Sequence, residues 1–339
     1  MSDQLTPSRS TASALTDPFG REVNYLRLSV TDRCNLRCTY CMAEDMEFLP
    51  RAQVLTLEEI EQVASAFVSL GLTKIRLTGG EPLVRKGIVE LANNLHQLDG
   101  LKELVMTTNG VLLNEFAQPL ADAGISRLNI SIDSLKPDRF KAMTRFGALD
   151  QVLEGIKAAQ RAGFKRIKLN AVVLANINED ELIDMARFAL DGGMDITFIE
   201  EMPLGHIDSH KRSDTVTSSN SLREQLSSEF HLTPSTTSTG GPSRYWKAKS
   251  YDNLIGFISP MTDNFCGSCN RVRMTAEGQL LLCLGNEHSL DVRAIIRRYP
   301  GDIDRLKESI VSAISRKPER HYFDANDTSI VRFMNATGG

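Results

Sequence analysis

Between residues 25 and 202, short β-branched or apolar runs alternate with amphipathic runs of helical spacing. The first helical run opens with a capping box, because Thr56 stands at the N-cap position and Glu59 follows three residues later. Repeated strand–helix units of this kind predict a parallel sheet covered by helices. The six predicted strands are residues 25–31, 74–78, 103–107, 127–133, 166–174 and 196–202.

The alternation breaks after residue 202, where Ser/Thr-rich stretches at 213–221 and 235–239 interrupt the pattern. We therefore place a domain boundary near residue 205. The first 18 residues are rich in Ser and Thr and indicate a flexible N-terminal tail. The predicted organisation is a tail at 1–18, a barrel-forming α/β domain at 19–205 and a C-terminal α+β domain at 206–339.

Polar side chains recur at every second position of several predicted strands. Strands of a parallel sheet covered by helices are normally apolar on both faces, and isolated buried cations are costly unless an anion or another partner compensates them. The sequence therefore predicts a six-stranded partial barrel with a wet, cationic interior for an anionic ligand. For any single residue, a strand-end position in solvent is the alternative. The positions are Arg27, Ser29, Thr31, Arg76, Thr78, Asn129, Ser131, Asp133, Arg166, Lys168 and Asn170.

The composition is that of an ordinary globular protein, with 41% hydrophobic and 24% charged residues among 339. No apolar run reaches the roughly 18 residues of a membrane span. A formal net charge of -4 gives no general attraction to nucleic acid or to anionic membranes, so we predict neither as a partner. The basic run at 316–321 is typical of a solvated helix end.

The six cysteines form two triads, one near each end of the chain. Disulfide frameworks belong to small secreted domains, which this chain does not resemble. Three thiolates leave one position of a four-coordinate centre open, and closely spaced thiolates commonly hold iron-sulfur clusters. For the second triad, His288 leaves a closed Cys3His zinc site open as an alternative. The triads are Cys34, Cys38 and Cys41, spaced Cys-x3-Cys-x2-Cys, and Cys266, Cys269 and Cys283, spaced Cys-x2-Cys-x13-Cys.

The first triad resembles the cluster loop of the radical S-adenosylmethionine (SAM) superfamily, because it directly follows the first predicted strand and carries Tyr40 just before its third cysteine. The run Leu77-Thr78-Gly79-Gly80-Glu81-Pro82 resembles that superfamily's glycine-rich segment for the methionine amino group. Glycines let backbone approach a ligand closely. This resemblance implies a TIM-like partial (β/α)6 barrel, a 4Fe-4S cluster on the first triad, and S-adenosylmethionine bound at its open iron.

The C-terminal motifs are similar to those of the GTP 3',8-cyclase family, which opens molybdenum cofactor biosynthesis. The similarity rests on Cys266-Gly-Ser-Cys269-Asn-Arg271-Val-Arg273, on Cys283, and on the terminal Gly338-Gly339. It implies a second 4Fe-4S cluster on the second triad, facing the guanine of GTP, and a tail that reaches the active site. The family's GTP contacts fall on Arg27, Arg76, Thr107, Lys168, Arg271, Val272 and Arg273, and its SAM contacts on Tyr40, Gly80, Ser131 and Met202.

The resemblance implies a radical cyclisation. A 5'-deoxyadenosyl radical would abstract the ribose C3' hydrogen of GTP, and the C3' radical would attack guanine C8. One electron and one proton would complete (8S)-3',8-cyclo-7,8-dihydroguanosine 5'-triphosphate. The cofactor carries this chemistry while the protein positions the nucleotide. Arg271 and Arg273 are candidates by position for the final proton donor, although the very high pKa of arginine makes it a poor one.

The resemblance also implies a flavodoxin or ferredoxin as electron donor, cyclic pyranopterin monophosphate synthase as the next enzyme, and a homodimer. Six unpaired thiolates fit a reducing cytoplasm. Another radical SAM enzyme with an auxiliary cluster, such as a peptide modifier, is an alternative that does not require Arg271, Arg273 or the terminal glycines. A zinc-stabilised binding protein would use His288. A nucleic-acid binder could use Arg271, Arg273 and Lys247 with Trp246 and Tyr245, but the acidic net charge and the lack of a basic stripe disfavour it.

Overall fold

The computed structural model describes residues 15–205, 207, 210, 212–323, 330 and 332–338. A twelve-stranded sheet runs through this part of the chain in the order β12-β11-β10-β1-β2-β3-β4-β5-β6-β9-β8-β7. The strands are β1 (Tyr25–Ser29), β2 (Lys74–Thr78), β3 (Glu103–Thr108), β4 (Arg127–Ser131), β5 (Ile167–Val173), β6 (Asp195–Glu200), β7 (Thr233–Ser235), β8 (Arg244–Lys247), β9 (Leu254–Ile258), β10 (Arg271–Met274), β11 (Gln279–Leu281) and β12 (Ser289–Asp291). The helices are α1 (Leu57–Ser69), α2 (Ile88–His96), α3 (Leu113–Asp122), α4 (Pro137–Thr144), α5 (Leu149–Arg161), α6 (Leu182–Asp191), α7 (Ser219–Phe230), α8 (Val292–Arg298), α9 (Ile303–Ile314) and α10 (Met334–Thr337).

Strands β1 to β6 stand side by side in chain order and pair in parallel throughout. Each matches a predicted strand to within two residues at either end, so the predicted parallel α/β sheet is confirmed. Arg166 is the exception among the predicted interior residues. Strand β5 begins one residue later, at Ile167, and Arg166 is exposed. Its assignment to the interior was wrong because strand parity does not govern a residue that precedes the strand.

The C-terminal region adds strands to both edges of this sheet. Strand β10 pairs in parallel with β1, and β9 pairs in parallel with β6. Antiparallel strands continue outward on each side, β11 and β12 beyond β10, and β8 and β7 beyond β9. Since the edges of an open sheet carry unpaired backbone groups, the second half of the chain completes the hydrogen bonding of the first. The domain boundary near residue 205 stays a prediction.

Alternating side chains give the sheet one apolar and one polar face. Leu26 and Leu28 on β1 are fully buried in the core between sheet and helices, whereas Arg27 between them faces the opposite side. The predicted capping box at the start of α1 is confirmed. The Thr56 hydroxyl accepts from the Glu59 N–H at 3.2 Å, and the Glu59 carboxylate accepts from the Thr56 N–H at 2.8 Å.

Residues 15–18, which we assigned to the N-terminal tail, are packed against the domain. Leu15 is fully buried, and its carbonyl accepts from the Val23 N–H at 2.8 Å. The buried Asp17 carboxylate accepts from the Arg21 guanidinium at 2.6 Å. The tail prediction was therefore wrong for these four residues. Leu15 and the Asp17–Arg21 ion pair anchor a segment that its composition predicted to be flexible. Residues 1–14 lie outside the described part of the chain.

No helix within the described residues is long and apolar enough to cross a membrane.

Gly155 offers a test of how α5 packs on the turn before α3. A Cβ atom at this position would lie 2.3 Å from the carbonyl oxygen of Gly110, so the helix would have to move. Replacing glycine by alanine within a helix normally stabilises by about 1 kcal/mol. Here we expect Gly155→Ala to lower the free energy of unfolding by about 1–3 kcal/mol, measured by urea denaturation.

The exposed Gln151 on the same helix provides the matched control. Gln151→Ala should stay within about 0.5 kcal/mol of the wild type. A Gly155→Ala protein more stable than the wild type would contradict the close contact.

Candidate active site

Inward-facing side chains line a hollow that comprises two adjoining cavities. The cluster-loop cavity contains the first triad, Cys34, Cys38 and Cys41, and the basic cavity contains the second triad, Cys266, Cys269 and Cys283. Four residues line both cavities: Asn170, Ile199, Met202 and Arg273. Since β1, β2, β4, β5, β6 and β10 all contribute lining residues, the sheet curls around the hollow as a partial barrel.

The first triad lies on the loop after β1, and this loop is held to the end of α4. The N–H groups of Arg37 and Thr39 donate to the last two carbonyls of α4 at 3.0 and 2.9 Å. The cysteines of the triad are free thiols. Burial raises the pKa of Cys34 to about 11 and that of Cys41 to about 12, with the charge of Cys34 adding to the effect on Cys41. Burial therefore favours the neutral thiol at this loop, and a bound positive metal centre would reverse that preference.

The residues predicted to contact SAM lie together with the first triad. The Tyr40 hydroxyl donates to the Asp133 carboxylate at 2.7 Å, whose other oxygen accepts from the Val172 N–H at 2.8 Å. Burial raises the pKa of Asp133 to about 6, although both hydrogen bonds oppose the shift. The four predicted contacts all line the cluster-loop cavity: Tyr40, Gly80, Ser131 and Met202.

The two glycines after β2 let this turn press against the loop after β1. A Cβ atom on Gly79 would lie 2.5 Å from the Thr31 carbonyl oxygen, and one on Gly80 would lie 2.4 Å from the Arg33 carbonyl oxygen. The Gly80 N–H donates to the Thr31 carbonyl at 2.8 Å. Close backbone approach thus requires glycine at both positions, in addition to any contact with a ligand.

Glu81, the next residue, ties the glycine turn to the end of β3. Its carboxylate is buried and accepts three hydrogen bonds, from the Leu83 N–H at 3.0 Å, the Thr108 hydroxyl at 2.9 Å and the Asn109 N–H at 2.6 Å. Burial raises the pKa of Glu81 to about 7 against the effect of these donors. Glu81 is therefore the internal support of the wall that carries Gly80.

The basic cavity gathers the cations that strand parity predicted. The Arg76 guanidinium donates to the Thr107 hydroxyl at 3.1 Å, and the Lys168 ammonium donates to the Tyr245 hydroxyl at 3.2 Å. Of the predicted GTP contacts, Thr107 lines the cluster-loop cavity. The other six line the basic cavity: Arg27, Arg76, Lys168, Arg271, Val272 and Arg273.

Strand β10 places two arginines beside β1. Arg271 pairs with Tyr25 and Arg273 with Arg27 in the parallel register. Burial, followed by the charges of Arg27 and Arg271, lowers the pKa of Arg273 well below its usual value. The side chain of Val272, between the two arginines, belongs to the hydrophobic core on the other face.

Gly338, in the C-terminal segment, contacts two arginines of the basic cavity. The Gly338 carbonyl accepts from Arg273 at 2.5 Å and from Arg27 at 3.4 Å. A Cβ atom on Gly338 would lie 1.9 Å from the Thr78 hydroxyl oxygen, and its φ of +76° also favours glycine. The predicted contact of the tail with the site is therefore present at Gly338, while Gly339 lies outside the described residues.

The second triad lies beside a buried lysine. The Lys317 ammonium donates to the Leu282 carbonyl at 2.8 Å and lies 3.5 Å from the Cys269 sulfur. Burial opposes ionisation of Cys269, but the charges of Arg271 and Lys317 outweigh it and lower the pKa of this thiol. The prediction that residues 316–321 form a solvated helix end was wrong for Lys317, which is 2% exposed.

The zinc alternative for the second triad finds no support in the geometry. His288 is exposed and is not among the residues that line the basic cavity. Within the described residues, no three His, Cys, Asp or Glu side chains are placed to hold a single metal ion. A centre of several iron atoms spans a wider set of ligands than one zinc ion does.

Some polar residues around the basic cavity were missed by the sequence analysis. Tyr25 and Lys74 open β1 and β2 with the same parity as Arg27 and Arg76, so alternation contained the signal. Tyr245 and Lys317 come from outside the six predicted strands. The sequence analysis considered Tyr245 only for a nucleic-acid binder and Lys317 only as part of a solvated basic run, so neither was assigned to this cavity. The missed set is Tyr25, Lys74, Tyr245 and Lys317.

Comparisons with known proteins identify the family of this chain. The model of the radical SAM superfamily matches residues 28–189, and the model "Molybdenum Cofactor Synthesis C" matches residues 194–323. Curated relatives named GTP 3',8-cyclase include one from Pseudomonas putida (strain W619), 58% identical over 96% of this chain and 98% of its own, and one from Saccharophagus degradans, 57% identical over 96% and 99%.

Among solved structures, Streptococcus suis SuiB bound to S-adenosylmethionine matches with a TM-score of 0.62 at 13% identity. The match covers 84% of this chain and 65% of that chain. At this identity the similarity shows the fold alone.

A parallel sheet curled around a Cys-x3-Cys-x2-Cys loop, together with the matching superfamily model, defines a radical SAM protein. Such a protein holds one 4Fe-4S cluster and SAM, and the cluster-loop cavity fits both, because its three free thiols adjoin a glycine turn and a polar wall. The identity of 58% to the Pseudomonas putida relative, over nearly the whole chain, identifies the family within this superfamily. The chain belongs to the GTP 3',8-cyclase family.

Glu81→Gln tests the support of the glycine turn. Both carboxylate oxygens of Glu81 accept hydrogen bonds. Glutamine would replace one oxygen by an NH2 group, which cannot accept, so a buried hydrogen bond is lost. We expect the free energy of unfolding to fall by about 1–3 kcal/mol, measured by urea denaturation. Glu90→Gln, at an exposed position of α2, is the control and should behave as the wild type. Equal stability of the two variants would contradict the structural role of Glu81.

Proposed function

We propose that this protein cyclises GTP to (8S)-3',8-cyclo-7,8-dihydroguanosine 5'-triphosphate, the first step of molybdenum cofactor biosynthesis. One observation carries the proposal: a cation-lined cavity contains the second cysteine triad and adjoins, through Arg273 and Met202, the cavity that contains the first. A nucleotide in this position would have its triphosphate among cations and its ribose at the border of the two cavities. The names of the curated relatives support the same reaction.

In this proposal the cluster-loop cavity holds the reactive group. Cys34, Cys38 and Cys41 would bind the first 4Fe-4S cluster, and the wall that includes Tyr40, Gly80, Ser131 and Met202 would bind SAM. When bound, these groups supply a carbon radical that removes the C3' hydrogen of the ribose. The protein's own contribution is to hold C3' within reach and to keep the cavity closed to water.

The basic cavity would hold the triphosphate. Arg27 and Arg76 lie on the adjacent strands β1 and β2, and Lys168 lies on β5 further around the curled sheet, so together they can surround a polyanion from more than one side. Thr107 stands at the border with the cluster-loop cavity and fixes one nitrogen of Arg76. Charged donors held by protein contacts in advance lose little freedom when the ligand binds.

The second triad would bind a second 4Fe-4S cluster whose open iron faces the guanine. Cys266, Cys269 and Cys283 line the same cavity as the phosphate-binding cations. Two anchors, one at the base and one at the triphosphate, would fix the ribose between them. Val272 would contribute through its backbone. The role of Arg271 and Arg273 as final proton donors stays a prediction from position.

The remaining partners follow from the same proposal. A flavodoxin or ferredoxin would deliver electrons, and cyclic pyranopterin monophosphate synthase would take the product. We further propose that the protein acts as a homodimer in the cytoplasm, where a reducing environment preserves free thiols.

Iron content tests the second cluster. Anaerobically purified wild type should contain about eight irons per chain, and a variant with Cys266, Cys269 and Cys283 all changed to Ala should contain about four. The matched variant with Cys34, Cys38 and Cys41 changed to Ala should also retain about four but lose SAM binding. About four irons and one zinc in the wild type, with the zinc lost from the first variant, would contradict the second cluster.

Lys168→Met tests the proposed site of the triphosphate. This change keeps the length of the side chain and removes a buried charge, so we expect the Kd for GTP to rise about 10- to 100-fold while SAM affinity is unchanged. Isothermal titration calorimetry on the cluster-loaded protein measures both. Arg166→Met, two residues earlier at an exposed position, should leave the Kd for GTP unchanged. Unchanged GTP affinity in Lys168→Met would place the triphosphate elsewhere.

A further inference from the structure

Tyr25 stands at the centre of the basic cavity's charges without being part of any motif described above. It is the first residue of β1 and is 2% exposed. The parallel registers place it beside Lys74 on β2 and beside Arg271 on β10. Two positions further along, Arg27 lies between Arg76 and Arg273 in the same way. A phenol group is therefore surrounded by cations from three adjacent strands.

Its contacts are those of a hydrogen-bond acceptor. The Arg76 Nε donates to the Tyr25 hydroxyl oxygen at 2.5 Å, and the Lys74 ammonium lies 5.0 Å from the centre of the Tyr25 ring. The other end of the same guanidinium donates to the Thr107 hydroxyl and to the Met106 carbonyl at 3.1 and 3.3 Å. Tyr25 and Thr107 thus hold Arg76 from two sides and set its direction in the cavity.

The charge around Tyr25 is strongly positive. The Glu103 carboxylate pairs with Lys74 at 2.6 Å and with Arg127 at 3.0 Å. The charged and titratable groups around Tyr25 and its neighbours are Arg27 on β1, Lys74 and Arg76 on β2, Glu103 on β3, Arg127 on β4, Lys168 on β5, Tyr245 on β8, Arg271 and Arg273 on β10, and, on the cavity wall, the second triad and His321.

Buried cations in such number require a compensating anion. Burial by itself would raise the pKa of Tyr25, but the charges of Arg76, Arg27 and Lys74 outweigh it and lower the pKa to about 7. The cations that surround the Tyr25 hydroxyl therefore favour its phenolate form when the cavity holds no ligand.

We propose that Tyr25 is a positioning residue that supplies the counter-charge of the basic cavity in the absence of ligand and takes up one proton from solution when a triphosphate binds. The proposal rests on the proposed function, in which the triphosphate of GTP occupies this cavity. The proton adds to the Tyr25 hydroxyl oxygen, and no other bond changes. The neutral phenol still accepts from Arg76, so the guanidinium keeps its direction while it meets the phosphate.

The expected pH dependence follows from proton linkage. A bound polyanion raises the pKa of Tyr25, so binding is coupled to proton uptake and weakens as pH rises above the pKa of the free protein. The γ-phosphate of GTP ionises near pH 6 and has the opposite effect, which is complete above about pH 7. The range from pH 7.5 to 8.5 therefore removes the contribution of the γ-phosphate. Lys168, Tyr245 and Arg273 also have lowered pKa values, so the comparison with Tyr25→Phe separates the proton of Tyr25 from theirs.

The test is calorimetry of GTP and of inorganic tripolyphosphate binding to the cluster-loaded protein, without SAM or reductant, in two buffers of different ionisation enthalpy. We expect the wild type to take up about 0.5 to 1 proton per anion at pH 7.5, and its Kd to rise several-fold, up to about tenfold, between pH 7.5 and 8.5. Tyr25→Phe keeps the ring beside Lys74 and should bind with almost no proton uptake and a flat profile. Tyr251→Phe, whose hydroxyl donates to Asp191 outside both cavities, should behave as the wild type.

The two proposals fail in different ways. Absence of proton uptake in the wild type, or equal uptake in Tyr25→Phe, overturns the role of Tyr25 and leaves GTP binding intact. Binding of tripolyphosphate with Tyr25-dependent uptake, but no binding of GTP, supports Tyr25 and overturns the proposed substrate. If neither anion binds, both proposals fall. If Tyr25→Phe folds poorly, absence of proton uptake in the wild type still overturns the role of Tyr25.

Discussion

The parallel pairing of β10 with β1 is the constraint on which the rest of this structure depends. It joins the second half of the chain to the first strand of the barrel and sets Arg273 beside Arg27. Because β10 begins two residues after Cys269, the same pairing carries the second triad to the wall of the hollow. Val272 anchors the strand in the core on the opposite face, so the two arginines are held by apolar packing behind them.

The buried cations of the basic cavity are only partly compensated by the groups that accept their hydrogen bonds. The cations of the basic cavity meet three kinds of acceptor: the Glu103 carboxylate for Lys74, tyrosine oxygens for Arg76 and Lys168, and the Gly338 carbonyl for Arg27 and Arg273. Carbonyls and a phenol compensate charge less completely than carboxylates do. The cavity therefore keeps an excess of positive charge, which suits a polyanionic ligand.

Much of the fold was accessible from local periodicity. The six strands, the capping box of α1 and the polar inner face all follow from residues close together in the chain. Arg166 shows the limit of this approach, since a shift of one residue at the strand start removes a side chain from the interior. The packing of Leu15 shows a second limit, because composition averages over the single residue that anchors a segment.

The features of the candidate site also fall into two groups, those that the sequence predicted and those that only the structure revealed. The sequence by itself determined the two triads, the glycine turn and most of the cations, because spacing and strand parity are local properties. Only the tertiary structure decided that both triads share one hollow, that Lys317 is buried beside Cys269, and that Tyr25 holds Arg76. These contacts join segments far apart in the chain. Their energies depend on sheet register and on burial in a common low-dielectric interior, which no local pattern of residues encodes.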